Sequence, residues 1–142
     1  MSELTIRTAS ADDVPELMAL WEVAGENAAR PDDRRELVEQ LMARDPDAVI
    51  VAELGGTVVG SVIAGWDGWR ANLYRLAVHP SARRRGVARR LLGEAERRLA
   101  RLGAERGCAM VLEGNDEGAA LWRAAGYAPQ QEWRRWVRQL DA

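Results

Sequence analysis

One stretch constrains this chain more than any other: residues 74–92, reading YRLAVHPSARRRGVARRLL. It opens with an apolar run, Leu76, Ala77 and Val78, that predicts a strand. His79-Pro80 ends that strand, because proline restricts the residue before it and lacks a backbone donor. Residues 81–85 form a short basic loop. Gly86-Val87-Ala88 then opens a helix with Val87, Leu91 and Leu92 on one face. A strand, a tight basic turn and a helix start together predict an anion site. The first N–H groups of a helix have no intrahelical partner, and the macrodipole adds positive potential there. Gly86 admits a ligand close to the backbone, and Ala88 is nearly as small. A solvated arginine cluster is the other use of such a turn, and phosphate binding is the reading preferred.

Two nucleotide motifs are excluded. A P-loop needs a lysine, and the chain has none. A Rossmann fingerprint needs three glycines after the first strand, and this turn has only Gly86 and follows a later strand. With 142 residues the chain is expected to form one domain over 1–142, with a single core. Its net charge of −2 offers no basic field for nucleic acid. Cys108 is the only cysteine, so no internal disulfide can form and a cytoplasmic setting is expected. No apolar run reaches the roughly 20 residues that span a bilayer, so no membrane association is expected. One histidine and one cysteine leave little for a metal site, and none is expected. A monomer or weak homodimer is the expected assembly.

In chain order, residues 4–8 predict a strand with Leu4, Ile6 and Thr8 on one face. Ser10 and Asp12 are candidate caps for a helix through Val14, Leu17, Met18, Leu20 and Trp21. Residues 24–33 read as a loop punctuated by Gly25, Asn27, Pro31 and Asp32-Asp33. A second helix carries Leu37, Val38, Leu41 and Met42 and stops at Pro46. A strand over 48–54, a Gly55-Gly56 turn and a returning strand over 57–64 predict a hairpin. A turn over 65–69 leads to the strand over 72–78. The helix over 86–102 ends at Gly103. A strand over 108–112, a helix from Asn115 to near Gly126, and a last strand over 133–140, paired near Ala128, complete the chain. The order β-α-α-β-β-β-α-β-α-β predicts an α/β sandwich with a mostly antiparallel mixed sheet.

The pattern Arg83-x-x-Gly86-x-Ala88 after Val-His-Pro resembles the pyrophosphate loop of the GCN5-related N-acetyltransferases, the GNAT family. A second stretch, Asn115-x-x-Gly118-x-x-Leu121-Trp122-x-x-x-Gly126-Tyr127, is similar to that family's Asn-x-x-Ala-x-x-Leu-Tyr-x-x-x-Gly-Phe/Tyr. The element order matches too, so the resemblance covers nearly the whole chain. Residues 51–70 and the LAVHP that follows are similar to YpeA-like bacterial acetyltransferases. The resemblance implies a three-layer GNAT sandwich whose central sheet is flanked by about four helices. It implies an N-acetyltransferase that takes acetyl-CoA as co-substrate and a primary amine of a small molecule or protein as acceptor. Arg83, Arg84, Arg85, Gly86, Val87 and Ala88 would hold the pyrophosphate. Leu76, Ala77 and Val78 would pair with the pantetheine arm, with an N–H of Ala77 or Val78 stabilising the oxyanion. Asn115 would contact the cofactor.

Acetyl transfer needs a neutral amine, a stabilised oxyanion and a departing thiolate. Trp122 stands where the family usually has a tyrosine acid, and an indole N–H donates a hydrogen bond without releasing its proton. Trp122 alone reads equally as a core aromatic. Tyr74, expected on the same face as Leu76 and Val78, is the alternative acid, with core packing as its other use. Tyr127 and His79 read as structural. Glu113 is the candidate base, with Glu53 or a water relay as alternatives. Glu22, Glu26, Asp32 and Asp33 would attract a cationic acceptor, whereas Arg30 and Arg70 would favour one bearing a carboxylate. Two competing readings are a non-catalytic acyl-CoA-binding sensor, which the tryptophan at 122 suggests, and a small interaction domain.

Overall fold

The computed structural model describes residues 3–24 and 32–141. Five strands form one sheet in the order β1-β2-β3-β4-β5: β1 Leu4–Thr8, β2 Val49–Leu54, β3 Thr57–Trp66, β4 Ala71–Val78 and β5 Gly107–Ala109. The first four are antiparallel and β5 runs parallel to β4. Helices α1 (Val14–Val23), α2 (Arg35–Arg44), α3 (Val87–Arg101) and α4 (Asp116–Ala124) flank it. This is the expected three-layer sandwich.

The central strand β3 is buried on both faces, as its nearly unbroken apolar sequence requires. One core lies between the sheet and α3, with Val62, Ala64, Leu73, Leu91 and Leu99 at its centre. The other lies under α1 and α2, around Val14, Leu17, Trp21, Val49 and Ile63. A Cβ at Gly60 would stand 2.8 Å from Val87 Cγ1 and 3.0 Å from Leu91 Cδ1. The bare backbone at Gly60 therefore lets the first turns of α3 settle directly on β3. Arg98 of α3, almost fully buried, donates to the Ala64 carbonyl and pairs with Asp45 at the end of α2, joining both helical layers through one side chain.

Several expectations shift. The first helix is entered through a 3-10 turn, Ala11–Asp13, so Asp13 rather than the exposed Asp12 stands at its N-cap. Asp13 accepts from the Ser10 N–H at 2.7 Å and grips both terminal nitrogens of Arg7 at 2.8 and 2.9 Å. That fork pulls the Asp13 carboxyl down to about 2 and holds the Arg7 guanidinium above its usual range. Strand β3 runs on to Trp66 through the start of the expected turn. Strand β5 is three residues long, and Met110, Val111 and Leu112 leave the sheet exposed.

The expected final strand over 133–140 does not form, and residues 128–141 carry no strand or helix. Trp133, Trp136, Val137 and Leu140 are exposed. Their spacing lacks a two-residue alternation, and Arg134, Arg135 and Arg138 fall among them, so neither side of a strand there would be apolar. The expected breakers Gly25, Asn27 and Pro31 lie outside the described residues, as do Glu26 and Arg30.

Candidate functional site

The anion turn forms where β4 meets α3. His79 donates its N–H to Val59 O at 2.8 Å, and its Nδ1 accepts from the Ser81 N–H at 3.1 Å. A short 3-10 turn, Pro80–Ala82, follows with Ala82 buried, and Arg83, Arg84 and Arg85 stand exposed beyond it. Arg84 (φ +66°) and Gly86 (φ +73°) both take left-handed conformations within this turn. A Cβ at Gly86 would meet no atom within 4 Å. The space over the backbone there is open, which fits the close approach of a pyrophosphate. Gly86 is the N-cap of α3, with Val87 buried and Ala88 half-buried. Arg83 reaches toward Glu117 of α4 at 3.7 Å across a solvent-exposed gap.

Beside this turn the sheet opens. β5 pairs with β4 only from Ala71↔Gly107 to Leu73↔Ala109, while β4 continues to Val78. Beyond Leu73, β4 has no strand on that side among the described residues. Successive N–H groups along a strand point to opposite edges. Since the His79 N–H faces β3, that of Ala77 faces β3 as well, and that of Val78 faces the opening. A bulge opposite Val62 breaks the β3–β4 register, and Arg75 within it has φ +52°.

The bulge overturns one expectation. Leu76 and Val78 pack toward α3 together with Leu73, whereas Tyr74 pairs with Ile63 on the α1–α2 side. Tyr74 is thus on the opposite face from Leu76 and Val78, because an extra residue inverts the alternation. It is half-exposed, its ring lies over Gly65, and burial, aided by the Asp45 charge, holds its phenol above the usual range. The phenol stays protonated at neutral pH.

On α4, Asn115 is the N-cap, and its Oδ1 accepts from the Gly118 N–H at 3.1 Å. Trp122 is half-buried against the α3-side core and meets the Tyr127 ring edge-on, with centroids 4.9 Å apart. Tyr127 donates to Glu96 at 2.7 Å, and burial together with that carboxylate pushes its phenol well above the usual range. Tyr127 is thus tied to α3 through Glu96 and to α4 through Trp122. Glu113 is exposed on the turn after β5. Glu53 lies on β2 and pairs with Arg7 at 3.4 Å, two strands from the opening, so it is set aside as a base. Asp33 is bound by Arg75, and Arg70 sits in the β3–β4 turn held by Asp67. Glu22 and Asp32 are exposed. Among the described residues no group of three or more His, Cys, Asp or Glu could hold a metal, and no helix is long and apolar enough to cross a membrane.

The left-handed Arg84, the bulge at Arg75 and the buried Ser61 were not found by sequence reasoning. Ser61, a hydroxyl in the middle of the apolar run from Val58 to Trp66, was the signal available.

Residues 14–127 match the family described as Acetyltransferase (GNAT) family. An acetyltransferase of Yersinia pestis is 37% identical over 128 residues, which cover 89% of each chain. The crystal structure of a ribosomal-protein-alanine N-acetyltransferase from Brucella melitensis superposes with a TM-score of 0.70 at 30% identity, over 86% of this chain and 83% of that one. An aminoglycoside N-acetyltransferase in complex with CoA shares the fold, with a TM-score of 0.76 at 19% identity over 99% and 96% of the two chains.

Proposed function

The chain belongs to the GNAT acetyltransferase family, and from that membership we propose that it moves the acetyl group of acetyl-CoA onto a primary amine, by direct attack at the opening between β4, β5 and the start of α3. One observation carries this reading. Among the described residues the β4 edge has no strand partner just where the strand runs into a turn with two left-handed residues and open space over Gly86. Backbone groups thus line a continuous path from a thioester position to a phosphate position.

In this reading residues 83–88 hold the pyrophosphate through backbone N–H groups and the α3 dipole, with Arg83, Arg84 and Arg85 adding charge. The exposed edge at Leu76 and Val78 pairs with the pantetheine amides, whereas the expected role of Ala77 is set aside because its backbone groups face β3. The oxyanion takes its hydrogen bond from an N–H that faces the opening, that of Val78 or of Leu76. The amine nitrogen attacks the thioester carbon, the C–N bond forms, the C–S bond breaks and the CoA thiolate leaves. A thiol of pKa about 8.5 departs tolerably without a dedicated acid, so Trp122 serves as a wall rather than a proton donor. Tyr74, protonated but on the α1–α2 face, positions the acceptor in preference to protonating the thiolate. Glu113 or a water relay takes the amine proton. Asn115 reaches the cofactor while capping α4. Residues 1–142 act as one domain, a monomer or weak homodimer; the lone Cys108, which rules out an internal disulfide, supports a cytoplasmic setting.

The neighbours direct the acceptor screen. One arm is a peptide with an N-terminal alanine, after the Brucella protein; the other is an aminoglycoside. The assay is release of free CoA thiol across an amine panel. The reading predicts acceptor-dependent thiol release with at least one amine. Saturable acetyl-CoA binding with no release across the panel would instead make the domain an acyl-CoA sensor.

A further inference from the structure

A chain of three hydrogen-bonded groups runs from α1 through β3 to the bulge in β4. The Trp21 indole N–H donates to Ser61 Oγ at 2.8 Å, and Ser61 Oγ donates to the Arg75 carbonyl at 2.8 Å. Ser61 is fully buried and Trp21 nearly so. An indole nitrogen only donates, so the Ser61 hydroxyl must accept from it and direct its own proton at Arg75. The direction of the network is thereby fixed.

The carbonyl it holds belongs to a strained residue. Arg75 has φ +52°, a left-handed conformation that a long side chain rarely adopts. Its guanidinium pairs with Asp33 and lies 5.0 Å from the centroid of the Trp21 ring. The register slip at this point takes Arg75 out of the regular β3–β4 ladder, and Ser61 supplies the partner for its carbonyl. Strained backbone of this kind persists only where its surroundings hold it.

The described peptides include no cis bond, so in the Arg75–Leu76 peptide the C=O and N–H point in opposite directions. With the carbonyl drawn to β3 by Ser61, the Leu76 N–H is turned away from β3, toward the side that β5 leaves open.

We propose that Ser61 is a positioning residue for acetyl transfer: its hydroxyl fixes the Arg75–Leu76 peptide plane and so aims the Leu76 N–H at the thioester carbonyl of acetyl-CoA. This rests on the acetyltransferase reading above. Ser61 touches neither substrate and acts through Arg75. Loss of the hydroxyl lets the peptide rotate, and the donor leaves its line even though the pyrophosphate turn is untouched.

The test reads the thioester carbonyl band of bound, isotope-labelled acetyl-CoA by infrared difference spectroscopy, beside calorimetric affinity. It needs no acceptor amine. In the wild type the band moves to lower frequency on binding, because an N–H donor polarises the carbonyl. Ser61→Ala loses more than half of that shift while keeping its acetyl-CoA affinity. Trp21→Phe removes the other hydrogen bond of the same network but keeps the Ser61–Arg75 bond, so it retains the shift despite a lower melting temperature. A purely structural role for Ser61 predicts that both variants lose stability and neither loses the shift, and that result overturns the proposal. A full shift in Ser61→Ala, or no shift in a wild type that binds, also overturns it and leaves the acetyltransferase reading standing. A wild type that does not bind acetyl-CoA overturns both. Should Ser61→Ala fail to fold, Ser61→Cys takes its place. Sulfur is a weaker donor with a longer reach, so the shift shrinks, and a wild-type shift in folded Ser61→Cys counts against the proposal.

Discussion

At one edge of the sheet β1 lies against β2 through five residue pairs, and Arg7 locks the corner by reaching Asp13 below α1 and Glu53 on β2. At the other edge β5 meets β4 through three pairs and stops, leaving the rest of β4 without a strand partner among the described residues. The closed edge spends its charged side chains on one another, Arg7 with Asp13 and Glu53. The open edge has no strand partner beyond Leu73 among the described residues, and the turn that follows it stands exposed, which is where the proposed ligand would lie. Stability and binding are thus assigned to opposite sides of one sheet, with α3 packed across the middle as the element both depend on.

The largest effect is expected where the two sides share that helix. Gly60→Val would force a side chain into Val87 and Leu91, already within 3.0 Å of a bare Cβ. Overpacking of this kind costs roughly 3 kcal/mol. It also displaces the start of α3, so acetyl-CoA affinity falls along with stability. Urea unfolding and calorimetry on one preparation check both. Loss of stability with wild-type affinity would show that the anion turn does not depend on how α3 is seated.

A smaller effect, confined to the closed edge, is expected from Asp13→Asn. The folded Asp13 carboxyl sits at about 2, below its ordinary 3.8. Its contribution is therefore complete above about pH 4 and disappears as the pH falls toward 2, because the unfolded chain takes up the proton first. The shift corresponds to about 2 kcal/mol. Asp13→Asn should lose about that much at neutral pH, show a flatter acid limb between pH 4 and 2, and bind acetyl-CoA as the wild type does. An altered affinity would mean that the two edges are coupled through α1.

The smallest effect is expected at Trp122. Its ring packs against the α3-side core and the edge of Tyr127, so Trp122→Phe should keep most activity once an acceptor is found. Trp122→Tyr should alter turnover by less than the roughly 10²-fold low end of general acid catalysis. A larger gain would identify the natural chain as an impaired transferase. A large loss in folded Trp122→Phe would give the indole N–H a catalytic role.

The two sides also differed in how far their residues announced them. Residues 76–92 carry the open edge's turn in local signals, a proline two residues after a valine, a run of arginines and a glycine at the helix start, and the strand end, the turn and the helix start form where those signals fall. Local signals could not disclose the bulge. Arg75 adopts a left-handed backbone because Ser61, Asp33 and Trp21, all distant in sequence, hold it there. That one residue inverted the expected facing of Tyr74. The Arg7–Asp13–Glu53 cluster escaped notice for the same reason, since a charged residue reads as solvated until its partner is known. The short β5 and the unformed last strand mark a further limit. Apolar content at 110–112 and 133–140 suggested strands, but a strand also needs an apolar face, and residues 133–140 do not have one.

The central claim is that the turn at Gly86 holds acetyl-CoA through its backbone, and a matched pair of variants tests it most directly. Gly86 and Gly103 bracket α3, both with positive φ (+73° and +105°) and both with open space where a Cβ would go. A leucine at either position meets positive-φ strain of at least about 1–2 kcal/mol, the larger at Gly103 because its φ lies farther from the left-handed helical region, but only at Gly86 does the added side chain stand in the proposed ligand path. Calorimetric titration with acetyl-CoA should therefore give Gly103→Leu wild-type affinity, and Gly86→Leu an affinity lower by roughly 10²-fold, or about 2.7 kcal/mol. Equal affinities in Gly86→Leu, Gly103→Leu and the wild type would contradict the claim and remove the turn from the cofactor site.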